Sequence, residues 1–359
     1  MILLSSTPPL LSFTHTHCNI NLQSCNREII KPPNMANHSA KPTFPLMMRL
    51  KFFIGSFMLK RVMRSDGTIN RRLLSLLDPK IPAAPAASPV SSSDVSVDPS
   101  RDLWFRLFVP SSSTAQKLPL ITYFHGGGFS CFSPHSKSCH ELCRALAARI
   151  PAVVASVNYR LAPEHKYPCQ YDDGFDALKF INDANRDVLP PCADLRRCFL
   201  AGDSAGGNIA HHVAVRAGLD GIELAGIVAV QPFFGGEERT EAEVRLAKGP
   251  VLTAEGADAL WRMFLPAGAD RNHAAVNVFG GGGGDERVRS VEFPRALVVV
   301  GGADPVQDWQ RRYAEGLKRC GKQVELVEYA NAFHGFYAFQ DLPEFEFLLR
   351  DVRAFINKH

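Results

Sequence analysis

The segment Gly202-Asp203-Ser204-Ala205-Gly206-Gly207-Asn208 sets a serine between glycines where a short apolar run, Cys198–Ala201, gives way to a helical stretch. A serine at a strand-to-helix turn is raised above the sheet edge at a helix N-terminus, the way an attacking hydroxyl is presented. Gly202 and Gly206 suit that turn because a side chain on either side of a strained serine would clash. The same residues also make an ordinary helix-capping turn. The chemistry therefore depends on what else the chain supplies.

A second motif answers the first. His125-Gly126-Gly127-Gly128-Phe129 ends the apolar run Leu118–Phe124, and glycines there let backbone N–H groups approach a developing oxyanion closely. The oxyanion hole is expected at Gly126, Gly127 and Gly128, with the N–H groups of Gly127 and Gly128 joined by that of Ala205. His125 is expected to hydrogen-bond within its own loop.

A serine hydroxyl needs a base, and the base needs a carboxylate to orient it. Asp304 follows the run Ala296–Val300, at a strand end where such sheets keep functional groups. Asp308, one helical turn on, is the competitor, and a charge at a helix start is its other use. His334 lies after the run Gln323–Tyr329 and before the last helix. Chain order is thus serine, acid, histidine. His211 and His212 fall inside the helix after Ser204 and are expected to be packed or solvated there.

These positions presuppose a scaffold. Six apolar runs of strand length, the four above together with Ala152–Val157 and Ile227–Val230, alternate with helical stretches at Ser138–Arg149, Asp172–Asn182, Gly207–Ala217, Asp308–Cys320 and Glu344–Asn357. Runs without polar alternation are buried on both faces, which predicts a mainly parallel, doubly wound α/β sheet with helices on both faces. The tract Pro79–Ser100, rich in Pro, Ala and Ser, reads as a linker, with a boundary near Ser100. The expected division is an extension or targeting segment over 1–40, a helical arm, lid and linker over 41–99, and a catalytic domain over 100–359. Within the last, 232–266 forms a cap insert with a helix ending at Leu265. Gly280–Gly284 lack the strand, Lys and Ser/Thr of a phosphate loop and read as a surface loop.

A chain 46% hydrophobic and 21% charged is globular in balance, which excludes collagen, coiled coil and disorder. Residues 1–64 carry eight basic side chains against the single acid Glu28, a charge of +7, which leaves −3 on the remainder. The body thus lacks the basic footprint of a nucleic-acid binder. Nine cysteines, an odd number without metal-ligand spacing, read as reduced thiols. Neither a metal nor an organic cofactor is expected. Residues 1–34, poor in acids, fit either an organelle transit segment or an extension before a start at Met35. Leu46–Leu59 is too short and too charged to span a membrane. The cytoplasm is the expected compartment, with the nucleus also open.

HGGGF, Asn158-Tyr159-Arg160-Leu161-Ala162-Pro163-Glu164, GDSAGGN, the aspartates of Asp304-Pro305 and Asp308, and His334-Gly335-Phe336 together resemble the hormone-sensitive-lipase-like branch of the α/β-hydrolases. The chain is similar there to plant carboxylesterases and, through Asp66-Gly67-Thr68-Ile69-Asn70-Arg71-Arg72, to plant gibberellin receptors. The resemblance implies the α/β-hydrolase fold with an N-terminal lid over Pro45–Arg64, a Ser204–His334–Asp304 triad and a small-molecule ester as partner. It leaves open a hormone receptor with weak turnover, or a different acyl acceptor or an elimination. Receptors of this branch lack the triad histidine and carry Asp-Arg where this chain has Gly256-Ala257, so both features here favour the enzyme. Arg160 and Glu164 are expected to pair and brace the loops. Phe129, Phe132, Phe233, Phe234, Phe336 and Tyr337 are expected to include walls of an apolar acyl or aryl pocket. Oligomeric state is not legible.

Overall fold

In the computed structural model, residues 52, 61–64, 66–111, 117–183 and 188–359 are described. Eight strands form one sheet in the order β1-β2-β4-β3-β5-β6-β7-β8. They are β1 (Val90–Asp98), β2 (Leu103–Pro110), β3 (Leu118–Phe124), β4 (Val153–Asn158), β5 (Ala193–Asp203), β6 (Gly226–Val230), β7 (Ala296–Gly301) and β8 (Val324–Tyr329). The pairs β1/β2 and β2/β4 are antiparallel, and every other pair is parallel. This is the α/β-hydrolase fold.

All six expected runs are strands, β3 with the bounds the pattern predicts. Each residue of β3, β6 and β7 is buried, as strands covered on both faces require. Successive side chains alternate between two cores. Leu120, Phe124, Leu200, Ile227, Ala229, Val298 and Val300 face one core, with residues of α3 (Cys169–Asp183), α4 (Ala205–Leu219) and α8 (Gln307–Arg319). Ile121, Tyr123, Phe199, Ala201, Val228, Leu297 and Val299 face the other, with α2 (Lys137–Arg149) and α9 (Pro343–Lys358). This period of two, not any polar residue, divides the strands between the cores.

The expected linker is corrected. Val90–Asp98, inside the Pro79–Ser100 tract, is β1, so the sheet begins ahead of the boundary placed near Ser100. Its sequence, VSSSDVSVD, is polar because it lies at the antiparallel edge with only two of its nine residues buried. Asp94 on β1 pairs with the buried Arg106 of β2 at 2.7 and 2.8 Å, which ties the edge strand down.

The insert 232–266 holds two helices, α5 (Glu241–Arg245) and α6 (Ala254–Phe264), and Leu265 is the C-cap of α6, where the helix was expected to stop. The chain bends through Gly280–Gly283, and Gly284 opens the short α7 (Gly284–Arg289). A seven-residue helix, α1 (Arg71–Leu77), precedes the sheet. The expected lid, Pro45–Arg64, and the extension over 1–40 lie outside the described residues except at Phe52 and 61–64. Phe52 packs edge-on against Phe333, with ring centroids 4.8 Å apart. No helix of the described residues is long and apolar enough to cross a membrane.

Candidate active site

β5 runs to Asp203, and α4 starts at Ala205, so Ser204 alone makes the turn, with φ 51° and ψ −118°. Its backbone is held on both sides. The N–H donates to Val230 O (2.9 Å), and the carbonyl accepts from Phe233 N (2.9 Å). The flanking glycines are there for space: a Cβ on Gly206 would lie 1.9 Å from Phe124 O, and one on Gly202 would lie 2.3 Å from the Gly206 carbonyl.

Ser204 Oγ lies 2.8 Å from His334 Nε2, and His334 Nδ1 lies 2.7 Å from Asp304 Oδ2. A carboxylate can only accept, so Nδ1 carries the proton and Nε2 is left to accept from the serine. Ser204 and His334 are buried to the same degree, and Asp304 is fully enclosed. Beyond His334, Asp304 accepts from Val306 N (3.0 Å), Gln231 Nε2 (3.0 Å) and Gln310 Nε2 (2.7 Å). The two glutamines were not singled out from the sequence, where nothing in their local pattern marks them. Asp308 is elsewhere: it accepts from Ala242 N at 2.9 Å and pairs with Arg311 at 3.1 Å.

The glycine loop divides its N–H groups. Gly126 N donates to Asp203 Oδ1 at 3.0 Å, which removes it from the expected oxyanion-hole set. Among the described residues the N–H groups of Gly127, Gly128 and Ala205 have no acceptor. His125 stays within its loop as expected: Nδ1 donates to Gly126 O at 2.8 Å and the ring stacks on Tyr159. Burial lowers its pKa to about 4. Asp203 also takes the hydroxyls of Tyr123 and Tyr337, and burial raises its pKa nonetheless.

The expected Arg160–Glu164 pair does not form. Arg160 binds the buried Asp173 through Nε and Nη2, both at 2.8 Å, and Glu164 takes a two-pronged contact from Arg71 at 2.5 and 3.0 Å. Arg71 also donates to Ser130 O (2.5 Å) and Ala162 O (2.7 Å), so the start of α1 is fastened to the segment that follows the glycine loop. Both residues brace loops, but each with a distant partner that spacing along the chain does not reveal.

Of the aromatic side chains expected at the pocket, Phe129, Phe233 and Phe336 are fully buried, and Phe234 and Tyr337 nearly so. Phe129 stacks on Phe264 (3.8 Å) and Phe233 on Trp261 (4.2 Å), which joins the strand-end loops to α6. Phe234 packs instead on Tyr313 and lines a separate cavity of about 280 Å³ whose lining includes none of Ser204, Asp304 and His334. Phe132 is exposed. His211 and His212 are packed within α4, His211 beside Tyr313 Oη (3.1 Å) and His212 stacked on Tyr171.

Comparison with known proteins gives the same picture of kinship. Residues 121–338 match a family described as having the alpha/beta hydrolase fold. Gibberellin receptor GID1C of Arabidopsis thaliana is 43% identical over 312 residues, which is 82% of this chain and 89% of the receptor. Carboxylesterase 20 of the same plant is 37% identical over 284 residues, 75% of this chain and 86% of that one. Among solved structures, the Pyrobaculum calidifontis esterase superposes with a TM-score of 0.66 at 26% identity, covering 89% of this chain and 94% of its own.

Proposed function

The chain belongs to the alpha/beta hydrolase family that its residues 121–338 match, and on that footing we propose that it is a serine carboxylester hydrolase. The observation that carries the reading is the continuous relay from Ser204 Oγ through His334 to Asp304, at 2.8 and 2.7 Å. His334 Nε2 takes the proton of Ser204 as Oγ attacks the ester carbonyl carbon. Its Nδ1 proton stays on the Asp304 bond, which favours the imidazolium that forms. The N–H groups of Gly127, Gly128 and Ala205 receive the carbonyl oxygen as it becomes an anion. The imidazolium then protonates the leaving alcohol. Water attacks the acyl-enzyme by the same steps and releases the acid.

Relatives with both kinds of name make hormone binding the second reading, and the cap bears on it. Where the resemblance implies Asp-Arg in a receptor, this chain has Gly256 and a buried Ala257 in α6. The next residue, Asp258, is engaged by Arg239 and by Arg271, the latter at 2.8 Å. The carboxylate is thus engaged by the chain's own arginines, which supports the esterase. A lid over Pro45–Arg64 would close the site; of that stretch Phe52 is described, and its contact with Phe333, the neighbour of His334, supports the reading. The deciding experiment is turnover of aryl esters from acetate to laurate beside calorimetry with gibberellin. Hydrolysis lost in Ser204→Ala upholds the esterase. Tight hormone binding without turnover replaces it with a receptor.

A further inference from the structure

Gln231 directly follows β6 and touches what the other catalytic segments share. Its side chain is fully buried and its φ is +43°, in the left-handed region that a non-glycine residue enters at a cost. A strained residue of this kind persists only where its surroundings over-determine it. Here they do. The carboxamide Nε2 donates to Asp304 Oδ2 (3.0 Å) and to Phe333 O (3.2 Å), while Oε1 accepts from Gly335 N (2.9 Å). Phe333 and Gly335 are the two chain neighbours of His334. One planar group therefore fixes the acid and the loop on both sides of the base. The backbone around it completes the link: Gln231 N donates to Val299 O on β7 (2.8 Å), and the preceding carbonyl, Val230 O, accepts from Ser204 N (2.9 Å).

We infer that Gln231 is a positioning residue that holds Asp304 and His334 in register with Ser204, an inference that rests on the esterase reading above. A carboxamide suits the task because it offers donor and acceptor at once, in a fixed plane. Neither a carboxylate nor an aliphatic chain supplies both. Glycine at 301 keeps the place open, since a Cβ there would fall 2.2 Å from Gln231 Nε2. Gln231 does not touch substrate. It acts through the geometry of the pair, and displacing that pair by about an ångström costs rate on the order of a hundredfold.

The test compares Gln231→Met, close in length but unable to make these bonds, in the wild-type and in the Asp304→Asn background. Gln231→Met is expected to lower kcat by about ten- to a hundredfold with KM held within about twofold. In the Asp304→Asn background it should cost less than about threefold more, because residues that act through one another are not additive. An unchanged kcat in the wild-type background, or the same loss in both backgrounds, overturns the inference. Should Gln231→Met fail to fold, Gln231→Glu keeps an acceptor for Gly335 N and removes the donor to Asp304. The same kcat loss is expected there, and turnover at the wild-type rate overturns the inference. A wild-type protein that hydrolyses no ester sinks the esterase reading instead. The low-field proton resonance of His334 Nδ1, which needs no substrate, then decides on Gln231: displaced or broadened in Gln231→Met if Gln231 holds the pair, unmoved if it does not.

Discussion

Asp203, the residue before Ser204, accepts the backbone N–H of Gly126 at 3.0 Å. That bond couples the two motifs that carry the proposed chemistry, 77 residues apart along the chain. It turns the glycine loop so that the next two N–H groups, of Gly127 and Gly128, are left without an acceptor among the described residues. The same carboxylate is held by Tyr123 and Tyr337. The loop therefore rests on a buried polar anchor.

Replacing Ser204 by alanine should abolish ester turnover, by on the order of 10⁶ in kcat if the three residues act as a unit. The thermal midpoint should be near that of the wild type, since among the described residues Oγ bonds His334 alone. Labelling by a fluorophosphonate, read by peptide mass spectrometry, should fall on Ser204. A labelled residue elsewhere reassigns the nucleophile.

Asp304→Asn and Asp308→Asn should separate cleanly. The first replaces one carboxylate oxygen by an N–H donor, which favours the wrong tautomer of His334, and should cost about 10⁴ in kcat. The second weakens the contacts of a helix start with Ala242 N and Arg311, at most about 1 kcal/mol of stability, with kcat nearly unchanged. Steady-state kinetics beside a denaturation curve checks both, and a greater kcat loss at Asp308 exchanges the roles.

Gly127→Ala should silence the enzyme without unfolding it. Gly127 has φ +99°, and an added Cβ would sit 2.4 Å from Cys131 O, so the loop must swing and carry its N–H away. Loss of one such donor costs about 10²- to 10³-fold in kcat. Gly282→Ala, whose Cβ would meet only Ala274 at 3.7 Å, is the matched control. Equal activity of the two variants would remove Gly127 from the oxyanion hole.

Acid should unfold the protein partly through buried histidines. Burial depresses His125 to about 4 and His211 to about 3, both from 6.5. The unfolded chain therefore binds these protons first. Their contribution to stability is fully present above pH 6.5 and is lost as the pH falls toward 4 and 3. Asp203, raised by burial, works the other way, so the wild-type curve is a sum. His211→Gln deletes one titration, and its midpoint should fall less steeply than that of the wild type between pH 6.5 and 4. Parallel curves would show that His211 does not contribute.

What is local in the chain is legible in its residues. The turn at Ser204, the glycine loop and the order serine, acid, histidine can be read because a strand end, a tight turn and a helix start each demand particular residues within a few positions. The parallel strands can be read for the same reason, since burial on both faces leaves unbroken apolar runs such as LPLITYF. Where a strand keeps one side wet, as β1 does in VSSSDVSVD, that signal vanishes and the segment passes for a linker. Which charge meets which is settled by the folded packing instead. Arg160 and Glu164, four positions apart, take Asp173 and Arg71 instead, the latter 93 positions from Glu164. It also decided that Gly126 serves Asp203, and that Gln231, unremarkable at the end of β6, meets Asp304 73 residues on. A polar side chain must be satisfied once buried, but folding alone brings its partner near, and no spacing in the chain records that meeting.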